Sequence, residues 1–194
     1  MTRETFALLE KYMLSCAGDA AHDGEHVRRV LYLALEIAET EEDVDRDLLI
    51  AACLLHDVGR PEQFADPALC HARVGGEKAR RFLLDHGFSQ DFAARVGDCV
   101  RTHRFRSDDP PGSLEARILF DADKLDVTGA VGMARTFFYA ARVGQPLYTL
   151  LPLHDMYGCG KSPCLTRKIL VHPASPGYEY RFSIYRPSRE PPVS

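Results

Sequence analysis

Apolar residues along the first three quarters of the chain recur at helical spacing, and the breaks between the runs carry Gly, Pro or capping residues. Phe6, Leu9, Met13 and Leu14 form one stripe and predict an amphipathic helix from about residue 2. Val27, Val30, Leu31, Ala34, Leu35 and Ala38 form a second stripe, behind Asp23 as an expected N-cap. Leu48 to His56 is apolar nearly all round, which predicts a buried helix; the run Asp57-Val58-Gly59-Arg60-Pro61 is expected to stop it. Further helices are predicted over about 71–85, ending at His86-Gly87, and over about 91–104. Ser107 to Gly112 reads as a polar, proline-bearing loop. Ser113 is expected to cap a sixth helix reaching about Asp126, and another is predicted over 131–142.

Beyond Gly144 the pattern changes. Most of the 12 prolines lie there, and Gly, Cys and His interrupt every helical run. Tyr178, Tyr180, Phe182 and Ile184 alternate, which predicts at most a short strand. The expected architecture is therefore all-α: a helical bundle over 1–145, with an irregular C-terminal extension, 146–194, packed on it or trailing from it. A chain of 194 residues suffices for one domain with a real core.

Charge and composition narrow the function. Net charge is −4, the pI is near 6.1 and no basic tract occurs, which argues against general nucleic-acid binding. A small phosphorylated substrate would need local positive charge, since the overall field does not supply it. The first residues lack a basic stretch followed by an apolar run, and no apolar segment reaches the ~20 residues that span a bilayer. The expected location is the cytoplasm, without a membrane partner. The six cysteines are then expected as thiols, Cys53 as a small core residue. Cys159, Cys164, His154 and His172 match no standard zinc spacing.

Of the eight histidines, His22, His26, His56, His71 and His103 bear on chemistry. His56-Asp57 ends a buried helix, where two polar side chains are costly unless compensated, and a metal ion compensates them. The competing reading makes Asp57 a turn residue and His56 a surface terminus. His26 lies at the edge of the second apolar stripe, as a core residue or a ligand. Asp121-Ala122-Asp123-Lys124-Leu125-Asp126 interrupts an apolar helix. Asp123 shares the face of Leu119 and Phe120, so it points inward and needs a cation. Asp121, turned about 200° from it, does not. Asp121 and Asp126 read as solvated or as partners of Arg117 and Lys124.

His26, then His56-Asp57, then Asp123, in that order, resembles the HD-domain superfamily of metal-dependent phosphohydrolases. The flanks agree: His22-Asp23-Gly24-Glu25-His26-Val27-Arg28-Arg29-Val30, Ala51-Ala52-Cys53-Leu54-Leu55-His56-Asp57-Val58-Gly59, and Phe120-Asp121-Ala122-Asp123-Lys124-Leu125-Asp126-Val127-Thr128-Gly129-Ala130. The resemblance covers roughly 1–145 and is nearest to small bacterial members that act on nucleotides, some as nucleoside triphosphate pyrophosphohydrolases. It implies a divalent ion (manganese, cobalt, nickel, iron, magnesium or zinc) on His26, His56, Asp57 and Asp123, brought from separate helices. Asp23 is read as a cap and His22 as a residue at the site's edge. The extension after Gly144 departs from the family's further helices.

In some members two more histidines bind a second metal, with the aspartate of the His-Asp pair bridging. His71 and His103 stand at about those places. They are read as ligands of a second ion, as hydrogen-bond donors to phosphate, or as plain helix termini, with one firmly held metal as the expected state. Arg29, one turn from His26, together with Arg60, Lys124 and Arg104, is a candidate to hold substrate phosphate. Glu62 is a candidate to orient water or act as a base. Two rival functions use the same scaffold: an HD-type di-iron oxygenase, and a non-catalytic nucleotide-sensing domain.

Overall fold

The computed structural model describes residues 1–17, 24–104, 109–142 and 144. Among them the chain forms only helices: α1 (Arg3–Cys16), α2 (Gly24–Ala38), α3 (Arg46–Leu55), α4 (Arg60–Ala65), α5 (His71–Asp85), α6 (Gln90–Thr102), α7 (Leu114–Leu125) and α8 (Gly129–Arg142). The chain divides after Tyr139, and all that follows concerns the first unit, Met1–Tyr139. The expected strand over 178–184, the C-terminal extension, His22 and the Asp23 cap lie outside the described residues. No described helix is long and apolar enough to cross a membrane.

Capping explains several boundaries. The side chains of Thr2, Asp45, Ser89 and Ser113 each accept a hydrogen bond from a backbone N–H in the first turn of α1, α3, α6 and α7. One expectation needs correction. Pro61 does not merely stop a helix; it stands in the first turn of α4, where a missing N–H costs nothing, and so starts a new short helix.

Helix α3 is the centre of the bundle. Leu48, Leu49, Ala51, Ala52, Cys53, Leu54 and Leu55 are all fully buried, and α3 packs against α1, α2, α6 and α7. Glu115, at the start of α7, accepts from the Asp45 backbone N–H at 3.0 Å and ties the starts of α7 and α3 together. The described cysteines Cys16, Cys53, Cys70 and Cys99 are free thiols, with Cys53 in the core.

Two glycine contacts bring the helix ends together. Helices α5 and α6 press backbone to backbone: a Cβ at Gly76 would lie 2.8 Å from the Gly97 carbonyl oxygen. Gly59, in the turn after His56-Asp57, lies so close to α5 that a Cβ there would come within 2.2 Å of the His71 carbonyl oxygen. A larger residue at Gly59 would push the start of α5, with His71, away from the Asp57 turn, and one at Gly76 would push α5 away from α6. We expect Gly76→Ala to lower stability by about 1–3 kcal/mol through overpacking, despite alanine's better helix propensity. The denaturant midpoint measures this, and a variant as stable as the parent would contradict the close crossing.

Candidate metal centre

His56 directly follows α3 and Asp57 comes next in the turn. His71 opens α5 and His103 directly follows α6. His26 projects from α2 and Asp123 from α7. All four histidines are buried, His56 and His103 completely, and Asp57 is 7% exposed. The six side chains form two groups, each with donor atoms within 4.8 Å of one another: His26, His56 and Asp123, and Asp57, His71 and His103.

The carboxylate of Asp57 stands between two pairs of imidazoles. Its Oδ2 is 3.7 Å from His26 Nε2 and 3.7 Å from His56 Nε2. Its Oδ1 is 3.5 Å from His71 Nε2 and 3.7 Å from His103 Nε2. Asp123 Oδ1 closes the first group, 3.5 Å from His26 Nε2.

Hydrogen bonds at the far side of each ring fix the tautomer. His56 Nδ1 is 2.7 Å from the Cys53 carbonyl and His103 Nδ1 is 2.6 Å from the Val100 carbonyl. His71 Nδ1 is 2.7 Å from Gln63 Oε1, whose amide is oriented by Arg60 donating to Oε1 and by Nε2 donating to the Leu69 carbonyl. His26 Nδ1 is 2.8 Å from Asp126 Oδ2. Each partner only accepts, so each Nδ1 carries the proton and each Nε2 presents its lone pair inward. These lone pairs face one another at 3.3 Å, His26 to His56 and His71 to His103. Asp57 Oδ2 is buried with no hydrogen-bond partner.

Lone pairs turned together beside an unpartnered carboxylate oxygen repel unless a cation lies among them. Two donors bound to one ion at about 2.1 Å stand about 3–3.5 Å apart. The separations here run from 3.3 Å between paired rings to 3.7 Å at Asp57, close to that spacing. The donor set of imidazole nitrogens and carboxylate oxygens therefore fits a divalent metal of the borderline class.

Titration of the groups agrees with this. Burial pushes His56 down, His71 well below the ordinary histidine value, and His103 down to about 3. Burial opposes the charge on Asp57 more than any one neighbour favours it, but the Arg60 Nε at 2.9 Å together with His56, His71 and His26 holds the carboxyl well below its usual range. Asp123 behaves the same way, burial being overcome by Lys124 at 2.6 Å and the neighbouring His56, His103 and His26 together.

The cations expected to hold phosphate all have partners in the protein. Arg60 grips Asp57 and Lys124 grips Asp123. Arg104 donates to Cys70 Sγ at 3.6 Å. Arg29 donates to Asp126 through Nε at 2.7 Å and Nη2 at 3.3 Å. Glu62 pairs with Lys78 at 2.7 Å, beside the Val58 carbonyl that the same ammonium binds. Asp121 is on the exposed side of α7, away from the ligand group.

Asp126 departs from the sequence reading. It is neither solvated nor paired with Arg117 or Lys124, but 6% exposed and bonded to His26, Arg29 and Arg135. Its spacing explains this: three residues after Asp123, it lies on the same side of the chain one turn on. That spacing was a readable signal; Arg135 and Gln63 left none.

A helical bundle that gathers a histidine, a His-Asp pair and a later aspartate at its centre defines the HD class, and the HD domain profile matches residues 23–128; the chain belongs to that family. It is 33% identical over 136 residues to YpgQ of Bacillus subtilis strain 168, a match covering 66% of this chain and 62% of that protein. Among solved structures it is similar to a predicted HD superfamily hydrolase from an uncultured Thermotogales bacterium. That pair shares 39% identity over 71% of this chain and 74% of the other, with a TM-score of 0.57. B. subtilis YpgQ in complex with ADP matches with 29% identity over 76% of this chain and 71% of that one, with a TM-score of 0.58.

The lowered histidine values set a pH dependence with a definite sign. Below the ordinary value of 6.5 the unfolded chain takes up protons that the folded chain refuses, so stability falls as pH falls. Each such imidazole costs about 1.4 kcal/mol per pH unit below that point. The melting temperature of chelator-treated protein should therefore drop steadily from pH 7 to pH 5. A flat or rising profile would show that the rings already carry protons in the fold.

Proposed function

We propose that this protein is a metal-dependent phosphohydrolase acting on the phosphate ester or anhydride of a nucleotide. The observation that carries the reading is the convergence of four inward imidazole lone pairs on the two oxygens of Asp57. His26, His56, Asp57 and Asp123 would hold one divalent ion; His71 and His103, sharing Asp57, would hold a second or meet the substrate phosphate. Bound there, such an ion supplies Lewis acidity toward a phosphoryl oxygen and lowers the pKa of water.

The chain's own residues do the rest. Asp57 and Asp123 stay anionic at neutral pH, because Arg60 and Lys124 lie against them. The rings of His56, His71 and His103, pushed down by burial, stay neutral and keep their lone pairs. Arg60, Lys124 and Arg104 put positive charge beside the ligands, where the charge of a phosphoryl transition state would spread. Arg29 is 35% exposed beside them and is proposed as a phosphate contact from the rim. The nucleotide preference draws support from the ADP complex of YpgQ. Glu62 is a weaker candidate for a base, because it is ion-paired with Lys78.

The test is a screen of nucleoside di- and triphosphates with purified protein loaded in turn with manganese, cobalt, nickel, iron, magnesium or zinc. Phosphate and pyrophosphate are measured separately, which distinguishes a phosphatase from a pyrophosphohydrolase. Asp57→Asn should lower turnover by more than about 100-fold, beyond the effect usual for a residue outside the ligand set. The six-residue set also keeps the di-iron oxygenase reading open. Iron-loaded protein that consumes oxygen with an organic substrate, and releases no phosphate from any nucleotide, would establish that reading instead. Tight nucleotide binding without turnover under any metal would point to a sensing domain.

A further inference from the structure

We propose that Asp126 is a positioning residue for His26, held in place by a clamp of Arg29 from α2 and Arg135 from α8. The inference rests on the metal reading of the site and deepens it.

Among the four site histidines, His26 is the one whose outer nitrogen meets a carboxylate. The others meet neutral acceptors, namely the carbonyls of Cys53 and Val100 and the amide of Gln63. A carboxylate does two things a carbonyl does less well. It fixes the proton on Nδ1 firmly, and its negative charge makes Nε2 a stronger donor toward a cation. His26 Nε2 lies within 3.7 Å of donor atoms on His56, Asp57 and Asp123, so its basicity bears on the whole first group.

A third carboxylate this near the centre carries a hazard. Three residues from Asp123, Asp126 would compete as a ligand if it turned. The clamp opposes that. Arg29 takes Oδ1 through Nε and reaches Oδ2 through Nη2, while Arg135 takes Oδ2 from the other side. Both carboxylate oxygens are thus committed to partners other than a metal. Arg135 is the polar residue by which α8, otherwise largely exposed along Val131, Met133, Phe137 and Phe138, reaches the site.

A purely structural ion pair would make the same contacts, so the test reads His26 directly. Long-range ¹H–¹⁵N spectra of metal-free protein report the His26 tautomer, and calorimetry with manganese and cobalt reports affinity. We expect Nδ1–H in the parent and mixed tautomers in Asp126→Ala, with affinity falling about 10- to 100-fold while helical content is retained. Asp126→Asn keeps the shape but not the charge, and should still weaken binding. Arg135→Met should weaken it less. Should Asp126→Ala fail to fold, Asp126→Asn and Arg135→Met decide the matter. Parent-like affinity in both, or an unchanged His26 tautomer in folded Asp126→Ala, overturns the proposal. If the parent itself binds neither metal, the metal reading fails, and the tautomer comparison still decides the positioning role.

Discussion

A carboxylate with one oxygen unpartnered, surrounded by apolar helices, is the constraint around which this fold is organised. Asp57 is costly where it stands, and burying it is tolerated because Arg60 holds one edge and four imidazoles line the other approaches. Those imidazoles are themselves unfavourable neighbours. Their nitrogens face each other in pairs at 3.3 Å, with the protons turned outward. The apolar packing of α3 against its neighbours supplies the stability that holds this arrangement, and the arrangement is in turn shaped to accept a cation.

Helix ends provide the placement. His56 and His103 follow α3 and α6, and each folds its Nδ1 back onto the carbonyl three residues earlier, Cys53 or Val100. One contact thus satisfies a carbonyl that a helix end leaves without a partner, and it also sets a ring's orientation. His71 uses the start of α5 in a complementary way, leaning on Gln63 of the short helix α4. Proline at the start of α4 therefore matters for the site: it permits the helix that carries Gln63 so soon after Asp57.

Much of this was legible in the sequence, and for physical reasons. The stripes of α1 and α2 follow the 3.6-residue period, and the all-apolar run of α3 reads as buried because only a central helix has no solvent face. The candidate set His26, His56-Asp57 and Asp123 came from the resemblance to the HD superfamily; the residue pattern alone turned Asp123 inward and left His26 and His56-Asp57 open between ligand and structural roles. What could not be read was partnership. That Arg29 grips Asp126 was not foreseen; Asp126 was expected in solvent or paired with Arg117 or Lys124; Arg135 and Gln63 drew no notice. These contacts join residues whose sequence separation carries no periodic signature, so they emerge only once the helices are packed. The short helix α4 was missed because proline is a stop signal and a start signal alike.

The span of the centre also bears on how the protein is made. His26 and Asp126, bonded to each other, stand 100 residues apart in the chain, and the His71–His103 pair closes a further loop of 32. Contacts of such long range form late, because the loops they close carry an entropic cost that the packed bundle must first offset. During synthesis the His26 and His56-Asp57 segments emerge well before α7 does. A growing chain therefore displays imidazoles and a carboxylate without the geometry that selects among ions. The spacing that suits a divalent ion exists only after the last helices dock, so an ion met earlier would find these donors without it.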